Sequence, residues 1–77
     1  MTDDALHEQH GRRRFEAHER AARIHERAAA MHDLAADTFE TLEREESADR
    51  EREIADRERA LAADQHRRAE QERSSDE

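Results

Sequence analysis

At 77 residues the chain is one domain at most, and a chain this short buries too small a share of its surface to stand safely on a modest core. Charged residues make up 47% of it, apolar residues 32% and aromatics 3%, with a formal net charge of −8, which argues against nucleic acid as a partner. Cysteine is absent, so disulfides, thiolate metal sites and cysteine nucleophiles are excluded.

This composition lies near the border between a disordered polyampholyte and a charge-laced helix. Residue type decides: Ala, Glu and Arg dominate, all strong helix formers, Pro is absent and the single glycine is Gly11. β-branched residues are nearly missing, which disfavours strands. The expected fold class is all-α, a helical hairpin or a long coiled-coil-like helix assembling into a bundle.

The first predicted helix runs from about residue 3 to 43. Thr2 is its candidate cap, with Asp3 and Asp4 favourable at the positive end of the helix dipole. His7 and His10, at i and i+3, share a face and form a weak candidate metal pair, although His7-Glu8-Gln9-His10 is one residue short of the HExxH zinc-protease spacing. Arg12, Arg13 and Arg14 form a short basic run that pairs with nearby Glu8 and Glu16 more readily than with phosphate.

A heptad repeat follows: residues 18–24 read HERAARI, 25–31 HERAAAM and 32–38 HDLAADT, with Phe39 and Glu40 opening a fading fourth copy. Period seven is the signature of helices that wrap around one another. At about 100° per residue, Leu6, Ala17, Ala21, Ile24, Ala28, Met31, Ala35, Phe39 and Leu42 share one arc, bordered by His7, His18, His25 and His32. Phe15 and Leu34 fall outside it. Alanine doublets at 21–22, 28–29 and 35–36 allow a neighbouring backbone to approach closely.

Residues 47–61 carry a second repeat, SADRERE followed by IADRERA and Leu61, which aligns Ser47, Ile54 and Leu61. Continued through a straight helix, these would stand about 100–120° from the Ile24–Leu42 stripe, so a break is expected at about 43–47. Ser47 with Asp49 is the candidate cap of a second helix ending near residue 70, and 71–77 reads as an acidic tail. Folding back near residues 45–46 sets Phe39 against Ile54, Met31 against Leu61 and Ala62, and Ile24 against Ala69. That match favours a hairpin over a single helix about 105 Å long. The expected interface is Ala21, Ile24, Ala28, Met31, Ala35, Phe39, Leu42, Ile54 and Leu61.

Histidine is enriched, with six residues, and His18, His25 and His32 are each followed by an acid. Seven residues span about 10.5 Å of helix, too far for two of them to share a metal ion, so a site needs a ligand from elsewhere. The expected register brings His66 within reach of His25, which makes that pair a second weak metal candidate. His18, His25 and His32 are also candidate pH-sensitive residues, because desolvation at a seam edge disfavours the charged form.

The HERAARI-HERAAAM-HDLAADT block resembles short uncharacterised helical proteins of actinobacteria that carry H-x-x-A-A-x-x-H repeats. The likeness spans about 25 residues and implies neither an activity nor a site. A second similarity is to hydrophilic stress-protective helical proteins, although their Lys preference and eleven-residue repeat are missing here.

No run approaches the ~18 apolar residues of a membrane span, and the acidic start is unlike a signal peptide, so a cytoplasmic location is expected. No set of groups converges as an active site requires, so neither catalysis nor a cofactor is expected. The functional expectation is a helical protein–protein interaction or self-assembly module whose partner is itself or another helical protein, with no nucleic acid and no membrane. A stress-protective polyampholyte and a small His-based metal-binding bundle are the alternatives.

Overall fold

A computed structural model describes residues 3–75. It contains two helices, α1 over Asp3–Thr41 and α2 over Glu45–Ser75, of 39 and 31 residues. They fold against each other as a hairpin 62 Å long and 15 Å by 11 Å across. No helix among the described residues is long and apolar enough to cross a membrane.

The turn is a helix C-cap completed without glycine. Glu43 takes a left-handed conformation with φ of 60°, and its N–H donates to the Glu40 carbonyl at 3.0 Å. The Arg44 N–H reaches back to the Phe39 carbonyl at 2.8 Å, so two of the carbonyls a helix end leaves unpaired are satisfied. The Arg44 guanidinium lies over the Phe39 ring, 5.3 Å from its centroid, as the side-chain contact that accompanies such a cap. The Arg44 carbonyl then accepts from the Ala48 N–H at 3.0 Å and opens α2, where Glu45 and Glu46 occupy the first turn.

Two boundary expectations change. Ser47 is a buried residue inside α2 and not its cap, because the chain re-enters helix immediately after Arg44. The helix continues through Ser75, so most of the expected acidic tail is helical, held to α1 by Arg14 Nε donating to Glu72 Oε2 at 2.7 Å. The expected Thr2 cap lies outside the described residues, as do Asp76 and Glu77.

The seam is made of alanine. Ala22, Ala29 and Ala36 of α1 and Ala48, Ala55, Ala62 and Ala69 of α2 are each 3% exposed or less, and no larger side chain among the described residues is fully buried. Each set is a strict heptad row, the period that keeps one edge of a helix facing an antiparallel neighbour. Methyl side chains leave the two backbones free to approach closely, as a connection this short demands. The alanine facing α2 is therefore the second of each doublet.

That corrects the expected register. Ile24, Met31, Leu34 and Leu42 are between 61% and 68% exposed, so they do not meet α2. Phe15 occupies the same heptad row as Ala22, near the open end, where it is half-buried with Arg73 stacked 5.9 Å from its ring centroid. Close packing selected the smallest row, whereas the arc drawn from the sequence followed the bulkiest residues.

Candidate interaction surface

Two polar ladders flank the alanine seam. On one side His18 Nδ1 donates to Gln65 Oε1 at 2.7 Å, His25 Nδ1 to Glu58 Oε2 at 2.6 Å and His32 Nδ1 to Glu51 Oε2 at 2.5 Å. Each rung lies seven residues further along α1 and seven back along α2, and the Phe39–Arg44 stack is the next in the series. Gly11 continues the histidine row toward the open end, where it is buried.

On the other side Arg52 Nη2 donates to Glu40 Oε2, Arg59 Nη1 to Asp33 Oδ2 and His66 Nε2 to Glu26 Oε1, each at 2.7 Å. His66 Nδ1 also lies 3.4 Å from Glu19 Oε1. An imidazole can donate from both nitrogens only when protonated. The hydrogen bond to Glu26, then that to Glu19, holds the His66 pKa above its ordinary value against a smaller opposing desolvation. No buried side-chain nitrogen or oxygen among the described residues lacks a hydrogen-bond partner.

The two ladders separate the residues expected to meet. His25 bonds α2 on one side of the seam and His66 bonds α1 on the other, so the register does not bring them together. His7 and His10 are exposed on the first turns of α1. No group of three or more metal-ligating side chains occurs among the described residues. His18, His25 and His32 are half-buried, as an edge position requires, but each faces a polar partner on α2 that the desolvation argument had not placed. The second ladder was missed altogether. Its signal was two further heptad rows, Glu19, Glu26, Asp33 and Glu40 on α1, and Arg52, Arg59 and His66 on α2.

Outside the histidine ladder lies the apolar surface. Residues three apart on a helix are surface neighbours, so Ala21, Ala28, Ala35 and Leu42 stand beside His18, His25, His32 and Phe39, and Ile24 and Met31 stand one step beyond. On α2, Ile54 and Leu61 stand beside Glu51 and Glu58, the partners of His32 and His25. The hairpin therefore has one broad side on which aliphatic side chains from both helices border the ladder. Ile54 is half-buried there, as are Ala21, Ala28 and Ala35, and Leu61, Ile24, Met31 and Leu42 are exposed. Of the expected interface, Phe39 belongs to the ladder itself and the other residues border it on this side, with Ile24, Met31, Leu42 and Leu61 turned outward.

The charge pattern follows the same division. Between Ala17 and Leu42, α1 presents no Asp, Glu or Arg to this side, and on α2 Arg50, Arg57 and Arg68 balance Glu51, Glu58 and Asp64, while Glu72 further along the same row is paired by Arg14 of α1. The excess acid sits elsewhere, on rows such as Glu19 to Glu40 and on Asp49, Asp56 and Glu70. The result is a neutral, aliphatic strip on an otherwise acidic molecule.

No protein-family model matches the sequence, and no curated protein or solved structure matches it either.

Proposed function

We propose that this chain is a non-catalytic protein–protein interaction or self-assembly module that works through the aliphatic side bordering the histidine ladder. The observation that supports this reading is the exposure of Ile24, Met31 and Leu42 on one neutral side of a folded hairpin whose own seam is already closed by alanine. Aliphatic residues aligned on one side are not used by the hairpin itself, and covering them is the favourable step left to the molecule. The reading places the protein in the cytoplasm, with another helical surface as partner.

Circular dichroism and sedimentation on the purified chain test it. The expected result is a helical species that associates as concentration rises into the high micromolar range. Met31→Asp should abolish the association by placing a charge where a partner must exclude water. Arg23→Asp, on the opposite side, should leave it intact. A coil-like monomer would overturn the reading in favour of a stress-protective polyampholyte.

A further inference from the structure

Resting on that reading, we infer that the partner is a second copy of this chain, docked side to side about a two-fold axis that runs along the hairpin, with both turns at the same end of a four-helix bundle.

Side-chain size carries the argument. Beside the His32–Glu51 rung, α1 offers Ala35 and α2 offers Ile54; beside the His25–Glu58 rung, α1 offers Ala28 and α2 offers Leu61. Each of these large residues on α2 thus has a small counterpart on α1. Counted from the turn, the members of each pair stand within about one helical turn in height. Side chains lean toward the N-terminus of their own helix, and since α1 and α2 run in opposite directions the lean brings each pair closer to level.

Within one hairpin these pairs straddle the ladder and do not fill each other's space. A two-fold axis along the hairpin changes that, because it lays α1 of one copy over α2 of the other without altering height. Ile54 then packs over the second copy's Ala35, and Leu61 over its Ala28. A two-fold axis across the hairpin lays α1 on α1 and α2 on α2. It sets alanine against alanine in one half and Ile54 and Leu61 against each other in the other half, which leaves one pair of helices underpacked.

Charge and area agree with a second copy. Two molecules of net charge −8 repel unless the joined surfaces are neutral, and this side is the neutral one. A hairpin 62 Å long and about two helix diameters wide offers a footprint on the order of 1,200 Å² per copy, against the ~800 Å² per partner of a standard stable interface. The two ladders are satisfied within each copy, so docking brings no unpaired Glu51 or Glu58 carboxylate into the bundle.

The test is a spin-label distance on the full chain carrying Glu46→Cys, an exposed position in the first turn of α2, the chain having no other cysteine. Sedimentation on the same sample gives the mass. A dimer with its labels about 20–30 Å apart is the expected result, set by the width of the bundle. A dimer with labels separated by about the 62 Å length of the molecule overturns the same-end arrangement and leaves the interaction reading standing. A helical monomer at all concentrations overturns the second copy as partner, and a coil-like monomer overturns the interaction reading as well.

Discussion

Ala29 and Ala30 are adjacent, chemically identical and placed in opposite environments, which makes them a controlled pair. Ala29 is 3% exposed in the seam, and Ala30 is exposed on the acidic side. Leucine adds three carbons at either position and is nearly as good a helix former as alanine. At Ala29 those carbons must enter a gap sized for a methyl group, and overpacking of this kind costs about 1–3 kcal/mol. Seven buried alanine methyls, at about 0.8 kcal/mol each, contribute only on the order of 5 kcal/mol to the hairpin, so the loss is a large part of the whole. Ala29→Leu should therefore lower the thermal midpoint by about 5–20 °C, and Ala30→Leu should change stability by less than about 0.5 kcal/mol. Melting curves followed by circular dichroism at low micromolar concentration read the hairpin itself. If the two variants melt together, alanine size is not what holds α1 to α2.

The acid-favoured His66 gives a pH dependence with a definite sign. Its folded-state pKa is raised, so its contribution is full below the unfolded value near ~6.5 and fades as pH climbs through the folded value. His66→Gln should remove that component, and melting midpoints at pH 5.5 and 8.5 for both chains measure it; an unchanged pH response would refute the role of Glu26 and Glu19. Glu43→Gly should raise stability by about 0.5–1 kcal/mol, since glycine enters the left-handed region without the Cβ clash a glutamate meets there. A shift in the denaturant midpoint toward lower concentration would show that the Glu43 side chain supports the turn instead.

Much of the architecture was legible because the sequence repeats at seven, is dominated by Ala, Glu and Arg, and has no Pro. The failure of Ile54 and Leu61 to continue the Ile24–Leu42 stripe correctly pointed to two helices. Orientation was harder. An apolar arc weights residues by bulk, so Ile24 and Met31 drew the seam toward their own side, while close antiparallel packing rewards small size and took Ala22, Ala29 and Ala36. Part of the signal was present: the α2 row at Ala48, Ala55, Ala62 and Ala69 is alanine throughout and asks for an alanine row on α1, but both alanines of each α1 doublet supply one. The turn could not be read in the same way, because its left-handed residue is Glu43 where glycine is the usual mark. The histidine partners were hidden for a related reason. Glu51, Glu58 and Gln65 look like ordinary members of a charged helix until the register is fixed, and fixing it depends on which alanine faces inward.

Because the rows on both arms repeat at the same interval, sliding α2 by one heptad toward the turn would again set alanine on alanine and bring Glu72, Gln65 and Glu58 beside His18, His25 and His32. Side-chain chemistry alone therefore distinguishes poorly between neighbouring alignments, and the three-residue connection at Leu42, Glu43 and Arg44 acts as the pin that chooses one. Cut there, the two arms would become a pair of peptides with several near-equivalent ways to zip. Left joined, the molecule is a ruler with uniform gradations: excising one heptad from each arm should shorten it by about 10.5 Å and return every remaining rung to its partner, whereas excising one from a single arm strands a heptad of the other beyond the end.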